Sequence, residues 1–226
     1  MSQRTKFTLN TFYNAGATIR SIKSAFGNNL YNEEAGIGIL DFWSEGQIVS
    51  ATFLKRVPTF LNDYDVKKNA FEKRPVFIFQ KIQFEIDIAL SILYTIGSST
   101  NLSLLKTFIK SILSEQITIS SITIPPFEVY TMLKKSKVKF QISKVCIEQF
   151  DYNGAIGKFA ANITDSLMIK EIINNYKDQF SKIVFDIQYK DETFSAHVYP
   201  NGIIGIITED ENENEQFYYL KQILFK

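Results

Sequence analysis

Alternation of apolar and polar positions runs through most of the chain. In PVFIFQKIQFEID, residues 75–87, one period-two face carries Val76, Ile78, Ile82, Phe84 and Ile86. The other carries Phe77, Phe79, Lys81, Gln83, Glu85 and Asp87. This spacing predicts a half-buried strand, yet two phenylalanines stand on the face that such a strand gives to water. LSILYTIG predicts the next strand, over 90–96. GIGILDFW and QIVSATFLKRV predict a hairpin joined through Ser44, Glu45 and Gly46. QITISSITI reads as a short strand. KIVFDIQYK, ETFSAHVYP and GIIGIIT predict three more, linked by Asp191-Glu192 and by the hairpin signal Asn201-Gly202.

Helical spacing replaces alternation in four places. Ile19, Ile22, Ala25 and Phe26 form one stripe, ended by Gly27 and Asn28. SSTNLSLLKTFIKSIL predicts a capped helix near 101–114 with Leu102, Leu105, Phe108, Ile109 and Ile112 on its apolar side. Pro125 and Pro126 open a helix through FEVYTMLKK, because proline suits a first turn. The acidic stretch EDENENEQFYYLKQILFK predicts a closing helix with its carboxylates at the N-terminal end. Residues 58–75 lie between two prolines and have no firm period, so a long loop or short helical insert is expected there. KSKVKFQISK turns Val138, Phe140 and Ile142 inward and Lys137, Lys139 and Gln141 outward. Its alternation slips near Ser143-Lys144, which predicts a bulge.

The hairpins imply an α+β fold with a largely antiparallel, curved sheet and helices packed on one face. The stretch 140–183 aligns with 76–119 at an offset near 64, which suggests a duplicated strand-strand-helix module. Two halves are expected, 1–124 net basic and 125–226 net acidic, within one continuous unit.

Composition narrows the function classes. Hydrophobic residues make up 45% of the 226 and aromatics 14%, with 20 Phe against only 5 Pro, so a sheet-rich core is expected rather than disorder. The formal charge of +1 gives no global attraction to nucleic acid or membrane. Residues 1–144 nevertheless hold 18 Lys+Arg against 11 Asp+Glu, and residues 145–226 hold 7 against 13, a balance of +7 against −6. Cys146 is the single cysteine, which excludes an internal disulfide and a thiolate zinc site. No apolar leader region and no membrane-length apolar run occur, so a soluble, cytoplasmic protein without membrane partners is expected.

Motif chemistry is sparse. No phosphate-cradling glycine loop followed by lysine occurs, and Gly36-Ile37-Gly38 lacks the third glycine of a dinucleotide site. His197 is the sole histidine and has no nucleophile motif beside it. Asp186, Gln188 and Lys190 faintly resemble the acid-x-lysine ending of a metal-dependent nuclease strand; Glu85 with Asp87 and Asp63 with Asp65 are the other paired carboxylates. No catalytic, cofactor-binding or metal residue is assigned, and no cofactor is expected. The face of Phe77, Phe79 and Lys81, joined by Lys55, Arg56, Lys137 and Lys139, is the candidate interaction face. Rings among cations suit an anionic partner, with bases stacked and phosphates held; the bland alternative buries both rings within the chain. The expected function is therefore a non-enzymatic binding or scaffold subunit with a protein partner or a second copy of itself. Its alternatives are an RNA- or single-stranded-DNA-binding module and a metal-dependent nuclease.

Overall fold

The computed structural model describes residues 3–14, 16–97, 102–113, 117–152, 154–209 and 212–225. Among them are eleven strands, paired largely antiparallel, and five helices, an α+β fold. The chain divides into a middle unit, Phe12–Ile119, and a terminal unit, Met1–Thr11 with Ser120–Lys226. Strand β1 (Gln3–Asn14) gives its first residues to the terminal unit and its last to the middle one.

In the middle unit, α1 (Ile19–Asn28) is followed by β2 (Ile37–Glu45), β3 (Ile48–Asp65), β4 (Ala70–Asp87), β5 (Ile92–Ile96) and α2 (Leu102–Leu113). The strands lie side by side in chain order. Thr18 starts α1 with a capping box, its hydroxyl accepting from the Ser21 amide at 3.2 Å while Ser21 Oγ accepts from the Thr18 amide at 2.9 Å. That arrangement satisfies donors that the helix itself leaves open. Residues 98–101, where the cap of α2 was expected, lie outside the described residues.

The core forms where the alternating faces meet the helix stripes. Phe84 and Phe42 each set an edge against the Phe26 ring, at 5.8 and 5.9 Å, and Phe53 meets Phe108 of α2 at 5.0 Å. Ile22, Val49, Ile86, Leu93, Leu105 and Ile109 complete a cluster with no accessible surface. The hairpin expected at Ser44–Gly46 is present, with Glu45 paired to Ile48. Gly38 is fixed by close backbone approach, since a Cβ there would lie 2.5 Å from Tyr31 Cα.

The segment 58–75 corrects the expectation of a loop or helical insert. It is strand on both sides of a turn over Val66–Asn69, with β3 and β4 paired rung by rung from Ile48↔Asp87 to Asp65↔Ala70. β2 accompanies β3 only to Lys55, and β5 accompanies β4 only from Gln83. Beyond those points the hairpin continues as a two-stranded ribbon.

β6 (Ile117–Ser121) begins in the middle unit and ends in the terminal one, which continues with α3 (Pro126–Lys135), β7 (Phe140–Tyr152), β8 (Ala155–Asn162), α4 (Ser166–Tyr176), β9 (Phe180–Tyr189), β10 (Glu192–Val198), β11 (Ile203–Thr208) and α5 (Glu213–Leu224). The strand order is β1-β11-β10-β9-β7-β8. The bulge expected at Ser143-Lys144 appears as a register shift between Ile142 and Lys144. α5 carries Glu213 and Glu215 in its first turn and Lys221 in its last, as the acidic pattern implied. The helices cover one face: Phe217 of α5 stacks on Phe7 at 3.9 Å, and Tyr130 of α3 packs on Phe140, which packs on Phe185.

The stretches aligned at an offset near 64 are β4-β5-α2 and β7-β8-α4. A longer recurrence also runs through the chain. Each unit opens its run of antiparallel strands with a helix, α1 or α3, and closes it with a helix, α2 or α5, that packs on the opening one.

Leu105 tests the helix-on-sheet core. Leu105→Ala is expected to cost about 2–5 kcal/mol in chemical denaturation, and Leu105→Asp to abolish folding by burying a charge. A native melting temperature for Leu105→Asp contradicts this packing.

Candidate binding faces

The strand register of the terminal unit sorts side chains onto two faces. One row, Phe7-Ile204-Val198-Ile183-Val145, faces the helices, and all five side chains are buried. The next row, Lys6-Gly205-His197-Val184-Lys144-Asn162, faces away from them. Two residues further along each strand, three on β7 because of its bulge, lies a parallel row, Arg4-Ile207-Ser195-Asp186-Gln141. Lys182, two residues before Val184, extends the same face. Arg4 and Lys6 are exposed and Lys144 and Lys182 half-buried, so four cations stand on the helix-free side of one sheet.

Their arrangement is held by specific contacts. Arg4 Nη2 donates to Tyr199 Oη at 2.6 Å, and the Arg4 guanidinium and Lys182 Nζ lie 5.6 and 5.9 Å from the centre of the Tyr199 ring. Gly205 lets Arg4 lie flat, since a Cβ there would sit 2.7 Å from Arg4 Nε. Asp186 is a carboxylate of this face, and it accepts from Ser195 Oγ at 2.6 Å and from Gln141 Nε2 at 3.4 Å.

His197 lies at the centre of the face, opposite Phe194, Ala196 and Val198 as its strand position implied. Its pKa is pushed down to about 4, first by burial, then by the positive charges of Arg4, Lys182 and Lys144 against the opposing pull of Asp186. The imidazole is thus neutral near pH 7 and records the positive potential around it. Cys146 is half-buried on the same face, paired in register with Lys182.

In the middle unit, the sequence-derived candidates separate. Phe77 and Phe79 are 59% exposed each, so neither is core. Arg56 lies over the Phe77 ring at 4.7 Å, and Phe79 meets Tyr31 edge-on at 6.4 Å. Arg56 is paired in register with Phe79, and Leu54 with Lys81, so Arg56 and Lys81 share the face of the two rings. Lys55 pairs with Gln80 and points to the opposite face. Lys137 and Lys139 belong to the terminal unit, where the Lys139 carbonyl accepts from the Gln188 amide at 2.9 Å at the entry to β7.

Glu85 and Asp87 have structural partners. Tyr94 Oη donates to buried Glu85, and Asp87 Oδ1 accepts from the Leu90 amide at 3.1 Å, closing the turn into β5. Among the described residues no three His, Cys, Asp or Glu side chains gather as a metal would require. Arg4, Lys6, Lys144, Lys182 and Tyr199 were not singled out from sequence. The available signals were the alternation of Arg4 and Lys6 with Thr5 and Phe7, and a lone glycine inside a strand at Gly205.

No helix among the described residues is long and apolar enough to cross a membrane. No protein-family model matches the chain, and no curated protein is significantly similar to it.

The depressed pKa of His197 has a signed consequence. A folded-state value near 4 lies below the ordinary 6.5, so protonation is penalised only in the folded chain. The stability this group contributes is complete above about pH 6.5 and is lost as pH falls through about 4. Denaturation midpoints between pH 7 and 4 are expected to fall more steeply in the native protein than in His197→Gln. Equal slopes contradict the cationic environment described for this side chain.

Proposed function

We propose that this protein is a non-enzymatic binding subunit whose open sheet face engages the phosphates of a nucleic acid. The supporting observation is the helix-free face of the terminal unit. It sets Arg4, Lys6, Lys144 and Lys182 around Tyr199 and His197, with Asp186 occupied by two hydrogen bonds. Helices seal the other side, so the cations are presented by a rigid sheet rather than by a flexible tail. Cations clustered on one face attract a polyanion far more strongly than a net charge of +1 implies. A ring between two cations adds an apolar surface on which a base or sugar can rest. Phe77, Phe79, Arg56 and Lys81 repeat this combination in the middle unit. A binding role is favoured over hydrolysis because Glu85, Asp87 and Asp186 are committed to hydrogen bonds that hold the fold.

The test is a titration of fluorescent single-stranded and duplex oligonucleotides at 50 and 200 mM salt. Four phosphate contacts give a log–log salt slope of about −3, at roughly 0.7–0.9 per contact. Lys6→Ala with Lys182→Ala is expected to reduce that slope by about 1.5 while leaving the melting temperature within about 2 °C of native. Absence of salt-dependent binding to every oligonucleotide overturns the reading.

Proton linkage gives an independent check. A phosphate beside His197 favours the imidazolium and raises its pKa in the complex. Affinity is therefore expected to rise as pH falls from 7 toward 5, and His197→Gln to lose that dependence. An unchanged pH profile in the variant places the phosphates elsewhere.

A further inference from the structure

The β3–β4 ribbon beyond Arg56 and Phe79 has a sharper division of side chains than the candidate residues alone revealed. The pairings Arg56↔Phe79, Pro58↔Phe77, Phe60↔Pro75, Asn62↔Lys73 and Tyr64↔Phe71 alternate with the intervening ones, so their side chains share one face. Every one of these rungs except Asn62↔Lys73 carries an aromatic ring, and that rung carries a cation. The opposite face begins with the aliphatic rungs Val57↔Ile78 and Thr59↔Val76 and continues through Leu61↔Arg74 to Asp63↔Glu72. Asp63 and Glu72, the described carboxylate side chains of the two-stranded ribbon, thus lie away from the rings.

The ring face is open to solvent. Phe60 is 67% exposed and Phe71 76%, and Tyr64 meets Phe71 at 5.1 Å at the outer end. Bare rings of this extent are a liability unless a ligand covers them. The charge sorting says which ligand. Arg56, Lys73 and Lys81 flank the rings, and Asp63 and Glu72 are on the other side of the ribbon. Spacing points the same way. Residues two apart on one strand, such as Phe77 and Phe79, have their Cα atoms about 6.8 Å apart, about twice the 3.4 Å step between stacked bases, so side chains on one face recur at a multiple of the base repeat.

We infer that this ribbon is a stacking surface for single-stranded nucleic acid, with bases on the rings of Phe60, Phe71, Phe77 and Phe79 and phosphates against Arg56 and Lys73. The inference takes its ligand class from the function proposed above but rests on a separate surface in the other unit. The ring face from Arg56 to Tyr64 spans about 27 Å at roughly 3.4 Å per residue, enough for several nucleotides. Discrimination follows from geometry: unpaired bases can stack on the rings, whereas a duplex keeps its bases stacked on one another.

The experiment compares three proteins against the same labelled single strand and duplex: the native chain, Phe60→Ala/Phe77→Ala, and Leu61→Ser/Ile78→Ser on the opposite face. Circular dichroism and the denaturation midpoint confirm that each is folded; the replaced rings are largely exposed, so both variants are expected to melt close to native. The ring-face variant is expected to lose single-strand affinity by about 5- to 160-fold per ring, the range that one stacked base supplies. Its duplex affinity and the affinity of the opposite-face variant are expected to stay native. Phe60→Trp/Phe77→Trp is expected to retain single-strand binding, because a larger ring still stacks. Native single-strand affinity in the folded ring-face variant overturns the inference. So does a loss that follows the aliphatic face, which signals a protein partner, or a change of sedimentation behaviour in the ring-face variant alone, which signals a second copy. If Lys6→Ala/Lys182→Ala weakens binding while the ring-face variant does not, only the ribbon inference fails. If the native chain binds no oligonucleotide at all, both readings fail together.

Discussion

Side-chain parity governs this protein. In a pleated strand each residue faces opposite to its neighbour, so a slip of one position would exchange every buried ring with a surface cation. In the terminal unit, Phe7 lies between Lys6 and Thr8, and Val198 follows His197, so the helix-covered core and the cationic face are read from the same six residues of each strand. The stacking of Phe7 on Phe217 and the edge-on packing of Phe140 against Phe185 fix which parity is inside. Where β7 must change parity, it does so through register shifts, between Ile142 and Lys144 and again past Cys146 and Ile147. The first shift returns Lys144 to the open face after Ile142 has been buried.

That constraint explains which parts of the fold were legible from sequence. Strands with one sealed face announced themselves: β10 alternates buried Phe194, Ala196 and Val198 with half-buried Ser195 and His197, and Ile82 and Phe84 of β4 flank exposed Gln83; β5, buried on both faces, was legible as a short apolar run instead. The slip at Ser143-Lys144 was readable as a break in alternation. The ribbon at 58–75 was not, and its misreading has a physical cause. Alternation is a signature of one-sided burial, and here neither face joins a core. Phe60 and Leu61 stand side by side, as do Val76, Phe77, Ile78 and Phe79, and the period disappears. Pro58 and Pro75 looked like breakers. They stand on neighbouring rungs of the same parity, Pro58↔Phe77 and Phe60↔Pro75, the kind at which an antiparallel pair can leave N–H groups pointing outward, so neither proline interrupts the ladder.

The cationic face was hidden for a different reason. Charge summed along the chain put an acidic excess after residue 144, yet Lys182 comes from that acidic part while Arg4 and Lys6 come from the other end of the sequence. Antiparallel pairing of β1 with β11, and of β11 with β10, brings them together. Such a surface is a property of strand order, which no local window of sequence contains. The candidate set drawn from sequence had the opposite fault. It joined Phe77 and Phe79 to Lys55, whose strand position turns it to the reverse side, and to Lys137 and Lys139, which belong to the other unit.

The hydrogen-bonded ladder that continues past Lys55 and Gln83 has an entropic meaning. A disordered basic tail must surrender its backbone freedom when it meets a ligand, at roughly 1–2 kcal/mol for each residue ordered. The rings from Phe60 to Phe79 are set at their spacing by backbone pairing before any ligand arrives. Only side-chain rotation and the ligand's own flexibility remain to be lost, so a modest number of contacts yields more net affinity than the same residues would on an unfolded segment.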